Sequence, residues 1–165
     1  MRRKDREVND FEKIISIIDR CEIIRLGLAD GDFPYIVPVN FSYEVTGDDK
    51  KQIIFYIHGA CAGRKYELMK KNKKCSFEMD IPLKMDFLYD KKDITMRYES
   101  VMGEAELSFV PEEEKEYVMQ EKILSRTQEM KTFPWNKVAL LKCAVVKLFV
   151  KSISAKVNPL NGNAD

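Results

Sequence analysis

Hydrophobic positions along the chain change period several times, and each change marks an element. Phe11, Ile14, Ile15 and Ile18 recur at helical spacing behind Asn9 and Asp10, either of which can cap a first helix ending near Arg20 or Cys21. From residue 22 the pattern becomes β-branched. Residues 22–29 read as a strand, Asp30-Gly31-Asp32 as a turn and residues 35–43 as a second strand. Alternation sends Val37, Val39, Phe41 and Tyr43 to one face of it and Ile36, Pro38, Asn40 and Ser42 to the other. Pro38 has no N–H for a sheet ladder, so it marks an edge, a bulge or a strand start.

A polar run over residues 46–51 predicts a hairpin loop. The strand after it, residues 52–58, opposes Ile53, Phe55 and Ile57 to Ile54, Tyr56 and His58. A short basic helix over 63–71 stops at Asn72 and gives way to a strand over 73–80. Residues 81–92, punctuated by Pro82 and Asp90-Lys91-Lys92, read as irregular. A long strand over 94–109 puts Tyr98, Ser100 and Met102 on one face, with Gly103 as a bulge or bend. Pro111 opens an acid-rich helix running to Arg126, and residues 131–136 form a loop with two large aromatics. Residues 138–153 are almost continuously apolar, the mark of a strand or pair of strands covered on both sides.

Six or seven strands joined mostly by hairpins, with three short helices, describe a mainly-β chain. An antiparallel barrel with peripheral helices fits better than a doubly wound sheet, because strands and helices do not alternate. The 165 residues carry no repeat or linker and read as one domain over 1–165, with flexible ends at about 1–8 and 158–165.

Charge narrows the function. Twenty-eight basic against 27 acidic residues leave a net charge of +1, which argues against a nucleic-acid binder. No apolar stretch is long enough for a signal peptide or a membrane span, so a soluble, cytoplasmic protein is expected. Cys21, Cys61, Cys75 and Cys143 lack C-x-x-C spacing and His58 is the sole histidine, so no metal site is expected. Cys21, Cys75 and Cys143 sit among apolar neighbours as core residues. Cys61, before a helix start, is either a stabilised thiolate or loop filler.

The densest chemistry lies in QIIFYIHGACAGRKYELMKKNKKCSFEMD, residues 52–80. The loop Gly59-Ala60-Cys61-Ala62-Gly63 has little side-chain bulk, so a ligand can approach its backbone. Arg64 and Lys65 follow at the first turn of a helix. Unpaired N–H groups, the positive end of the helix dipole and two cations then converge, which suits a phosphate. GACAGRK lacks the G-x-x-x-x-G-K-[ST] pattern, so this is not a nucleotide-triphosphate loop, and no G-x-G-x-x-G marks a Rossmann site. His58 stands at the strand end beside this loop, either as a ligand contact or as an exposed structural residue.

Four segments carry a resemblance: RLGLADGDFPYIVPVNFSYE, IIFYIHGACAGRKYELMKKNKKCSFEMD, RYESVMGEAELS and VALLKCAVVKLFVKSISAK. In this order they resemble the FMN-binding split-barrel proteins related to pyridoxamine 5'-phosphate oxidase, and among them the Nim-like 5-nitroimidazole resistance flavoproteins. Ile153-Ser154-Ala155-Lys156 stands where that family often shows I-T-G-K, a local departure.

The resemblance implies a split β-barrel, antiparallel and Greek-key-like with peripheral helices, forming a homodimer with FMN at the subunit interface. By the same resemblance Pro38, Val39, Asn40 and Phe41 lie along the flavin. Ile57, His58 and Gly59 border it, Arg64 and Lys65 bind its phosphate, and Tyr98 and Ser100 face it. The activity implied is flavin-mediated electron or hydride transfer to a small molecule, with nitroaromatic reduction as the family analogy. His58 would orient a substrate or donate a proton as the candidate catalytic residue. The alternatives are a non-catalytic barrel that binds flavin or haem, and a dimerising barrel with no cofactor.

Overall fold

The computed structural model describes residues 3–49, 51–127 and 133–158. A 3₁₀ turn at Lys4–Arg6 leads into β1 (Glu7–Val8) and α1 (Phe11–Arg20). Asp10 caps α1 by accepting from the Glu12 N–H at 2.9 Å, and Ile14, Ile17 and Ile18 form its buried stripe. There follow β2 (Ile23–Leu28), β3 (Tyr35–Asn40), β4 (Ser42–Thr46), β5 (Gln52–Ala60), α2 (Arg64–Lys71), β6 (Lys74–Leu88) and β7 (Asp93–Phe109). After a run of helical turns that includes α3 (Lys115–Val118), the chain closes with α4 (Lys137–Leu141) and β8 (Cys143–Asn158).

The strands form one antiparallel sheet in the order β3-β2-β6-β7-β8-β5-β4, with β1 added on β8. Its two edges, β3 and β4, are consecutive in sequence and joined through Phe41 alone. The sheet rolls up without closing, the split barrel that the resemblance implies. Pro38 sits in the edge strand β3, where a missing N–H is tolerated.

Inward side chains make the main core, where the Phe55 ring meets Phe41 and Phe77 edge-on at 5.5 and 5.2 Å. A second, smaller core lies outside β5 and β8. Tyr56 and Val145 there pack under Val118, Met119 and Leu140 of the helical turns. Ala144, Val145 and Val146 are all buried, so the start of β8 is covered on both faces as its composition predicts.

Several expectations need correction. The strand expected over 35–43 breaks at Phe41, and Ser42 turns into the protein instead of sharing Asn40's exposed face. The physical reason is topological: the chain passes there from the β2 edge of the sheet to the β5 edge, and the Arg126 guanidinium sits 4.2 Å over the Phe41 ring and donates to its carbonyl at 3.3 Å. Residues 81–88, expected to be irregular, continue β6, because one bulge between Pro82 and Met85 restores pairing with β7. Gly103 is not a bulge, since it pairs with Phe77 and Ile153; the irregularity falls beside it, where β8 carries the extra residue Lys151 opposite Glu104 and Ala105.

The helix expected from Pro111 to Arg126 is a series of 3₁₀, α and π turns. Residues 138–141 are helical because Asn136 accepts from the Val138 and Ala139 N–H groups and starts a helical turn. Glu7 and Val8, expected in a flexible end, pair with Lys156 and Ala155, and Val8 is buried. The expected tail beyond Asn158 and part of the 131–136 loop lie outside the described residues. Among the described residues no helix is long and apolar enough to cross a membrane.

Candidate functional site

The loop between β5 and α2 opens at one mouth of the barrel. Gly63 is the N-cap of α2 with φ +96°, a conformation that favours glycine, and a β-carbon there would meet nothing within 4 Å. It contributes no side-chain cap, so the first N–H groups of the eight-residue helix are left without a capping side chain. Lys65 folds back along β5 until its ammonium packs against the Gly59 backbone. Arg64 points the other way, toward the β2–β3 turn. Its guanidinium covers the Tyr35 ring at 4.7 Å, and its Nε and Nη2 donate to Asp30 Oδ2 at 2.7 and 2.5 Å.

His58 reaches solvent at the end of β5, but enough protein surrounds its ring to matter. Partial burial first, and the Lys65 charge second, hold its pKa below the ordinary value. Cys61 is half-buried and donates its N–H to the Lys142 carbonyl at 3.1 Å, which ties the loop to the end of α4. Burial pushes the Cys21 and Cys75 thiols up to about 11, so both behave as core filler. Cys143 is half-buried. Among the described residues no group of metal-ligating side chains comes together.

The remaining expected site residues are dispersed. Ile57 is closed in the core, as are the side chains of Val39 and Phe41, so only their backbones could meet a ligand. Pro38 and Asn40 face out from the edge strand β3. Ser100 pairs with Asp80, and Tyr98 with Pro82, far along β7. The row that reaches Ile57 runs through Phe109 and Val146, nine positions along β7 from Ser100, or about 30 Å at ~3.3 Å per residue. One chain thus assembles Gly59, Arg64 and Lys65 beside His58, and leaves Tyr98 and Ser100 remote.

Sequence reading missed three contributors. Asp30 and Tyr35 read only as turn and strand residues, yet they hold Arg64. The signal was available, since an acid in the turn and an aromatic just after it face a helix carrying a cation. Arg126 had no local signal at all. It bridges Phe41 to the end of α1, donating also to the Ile18, Asp19 and Cys21 carbonyls at 3.1, 3.1 and 2.6 Å.

The family model described as pyridoxamine 5'-phosphate oxidase matches residues 10–157. The chain belongs to the pyridoxamine 5'-phosphate oxidase family. No curated protein matches it. Among solved structures, a protein assigned to 5-nitroimidazole antibiotic resistance from Bacteroides thetaiotaomicron is 26% identical. It covers 92% of this chain and 86% of its own, with a TM-score of 0.75. The flavocytochrome Anf3 from Azotobacter vinelandii (18% identity, 100% and 75% covered, TM-score 0.76) has the same fold. So does an FAD and heme binding protein from Mycobacterium smegmatis (14% identity, 97% and 77% covered, TM-score 0.74).

Membership in the family raises a test of fit for a flavin phosphate. Gly63 leaves backbone bare and opens onto free space, while the room left by the missing side chain of Gly59 is taken by the Lys65 ammonium. A guanidinium, an ammonium and helix N-terminal amides are the donor set that a dianionic ester requires. The residues fit the group. Arg64 meets it only by loosening its pair with Asp30, an exposed contact that water already screens.

Proposed function

We propose that this chain is an FMN-dependent oxidoreductase acting as a homodimer on small-molecule redox substrates, nitroaromatic compounds among them. The observation that carries the reading is Lys65 laid against Gly59 at the open N-terminus of α2, with Arg64 beside it, in a chain of this family. FMN, when bound, supplies hydride or electron transfer. Arg64 and Lys65 hold its phosphate, and the Tyr35 ring beneath Arg64 limits where that guanidinium can swing.

The edge strand β3 supplies backbone polar groups from Val39 and Asn40 to the flavin ring, since an edge leaves alternate groups without a ladder partner. The Phe41 carbonyl is engaged by Arg126 and serves position only. His58 is the candidate proton donor or substrate-orienting group; a lowered pKa leaves it mostly neutral at pH 7. In this reading Tyr98 and Ser100, remote from the site of their own chain, face the flavin of the other subunit. Four free cysteines support a reducing, cytoplasmic setting.

Titrating the purified protein with FMN, followed by quenching of flavin fluorescence, tests the reading. Wild type should bind, and Lys65→Glu should weaken binding at least tenfold by setting a carboxylate beside the phosphate. Unchanged affinity in a folded variant removes Lys65 from the site, and no binding by wild type removes the flavin. A haem spectrum in its place would favour the non-catalytic alternative. Oxidation of a reduced nicotinamide dependent on an added nitro compound would establish the enzyme.

A further inference from the structure

The two cations at the barrel mouth are not in the same condition. Lys65 already reaches the Gly59 backbone, whereas Arg64 is turned onto the β2–β3 turn. Its Nε and Nη2, the paired donors on one edge of the guanidinium plane, both go to Asp30 Oδ2, at 2.7 and 2.5 Å. That edge is the one a carboxylate or phosphate takes through two parallel hydrogen bonds. Asp30 therefore occupies on Arg64 the place that a flavin phosphate needs.

The Tyr35 ring, 4.7 Å from the guanidinium carbon, backs this parked position. Asp30 lies in the turn over residues 29–34, and Tyr35 is the first residue of the edge strand β3. Among the described residues the Asp30 carboxylate has no other hydrogen-bond or ion-pair partner. It is committed to the cation and does not brace its own turn.

The pair is weak enough to open. The Arg64 side chain is 63% exposed and that of Asp30 28%, and exposed pairs contribute little to stability. It is nonetheless selective. Asp30 is tethered within reach of Arg64, so its effective concentration there is on the order of millimolar. A dissolved monoanion brings no more charge than Asp30 and has to compete with that. A phosphate monoester brings about 1.5 to 2 negative charges at pH 7 and is held at the same time by Lys65 and the first amides of α2.

We propose that Asp30 is a positioning residue that holds Arg64 in reserve over Tyr35, yielding it to a dianionic phosphate and not to a monoanion. The proposal rests on the flavin-phosphate reading above and names the residue that makes that site selective. The rival role for Asp30 is a strut that stays bonded in the complex and aims Arg64, with only the Nη1 side left to meet the ligand.

Titrations with FMN and riboflavin, which differ by the phosphate alone, separate these roles in wild type, Asp30→Asn, Arg64→Met and the double variant. Asp30→Asn should bind FMN about three- to fivefold more tightly, the order of one exposed ion pair, and riboflavin with unchanged affinity. In the Arg64→Met background the same substitution should do almost nothing. FMN binding that Asp30→Asn weakens or leaves unchanged overturns the proposal, the first by making Asp30 a strut. An equal gain with riboflavin, or in the Arg64→Met background, overturns it too, since Asp30 would then act without Arg64.

A second readout needs no flavin. The Arg64 Nε–H resonance, assigned by its loss in Arg64→Met, should shift in wild type with inorganic phosphate and stay in place with acetate at matched ionic strength. In Asp30→Asn it should respond to both. No response to phosphate in wild type, or an equal response to acetate, overturns the proposal. If wild type takes up no FMN while these responses hold, the flavin reading falls and the role of Asp30 stands. If FMN binds and Asp30→Asn changes nothing, the role of Asp30 falls and the flavin reading stands.

Discussion

Lys65 lays its ammonium against Gly59 so closely that a β-carbon on the glycine would stand 2.8 Å from Nζ. The two residues belong to different elements, and the absent side chain on β5 is what lets the cation from α2 reach the barrel mouth. Gly59→Ala should therefore move Lys65, not unfold the protein, since the obstructing atom is the free end of a flexible side chain. We expect a melting temperature within a few degrees of wild type and FMN binding weakened about three- to tenfold, the cation having lost its seat. Calorimetry beside a flavin titration separates the two effects.

Gly103 presents the opposite case. A β-carbon there would lie 2.6 Å from Phe77 Cζ and would collide with the Ser152 carbonyl oxygen of the neighbouring strand. Phe77 and Gly103 are cross-strand partners, so the ring covers the glycine and reaches Phe55 in the core. Neither a backbone carbonyl nor a packed ring can withdraw. Gly103→Ala should cost at least about 2 kcal/mol in urea unfolding, by the overpacking that dense cores do not relieve.

Arg126 ties the break between β3 and β4 to the end of α1. Its guanidinium lies over Phe41, at the single-residue join between the sheet edges, and donates to three carbonyls at the end of α1. Arg126→Met keeps much of the packing stem and removes the charge. It leaves those carbonyls short of donors and should destabilise by about 2–4 kcal/mol. Lysine at 126 should recover only part, because an ammonium cannot fan out over four acceptors. Equilibrium denaturation of both variants checks the order.

The strands and the anion site were legible because each is a local pattern: alternation for the sheet, and small residues followed by two cations for the mouth. Sheet order was not legible, because alternation does not say which strands pair; the resemblance implied the split-barrel architecture and no strand order. Phe41 shows the limit well. Its place in an alternating run predicts an unbroken strand, but the chain changes sheet edges there, where a cation 85 positions later docks on it. The irregular reading of residues 81–88 failed for a related reason, since Pro82 disrupts a strand only where its N–H is needed and a bulge follows it here. Asp30 was hidden because turn composition already explained it.

A single histidine makes the last expectation direct to measure. Proton NMR should show one titrating imidazole, that of His58, with a midpoint below the ordinary value of about 6.5. Burial is the larger cause and Lys65 the smaller, so Lys65→Met should raise the midpoint without restoring it fully. The sign for stability follows from which state holds the proton. Between the folded midpoint and ~6.5 the unfolded chain binds more protons, so stability is fullest above that window and declines as pH falls through it. His58→Asn should flatten that part of the curve. A bound phosphate reverses the local field and favours the imidazolium, so saturating FMN should carry the His58 midpoint upward. A midpoint indifferent to both FMN and Lys65 would separate His58 from the barrel mouth.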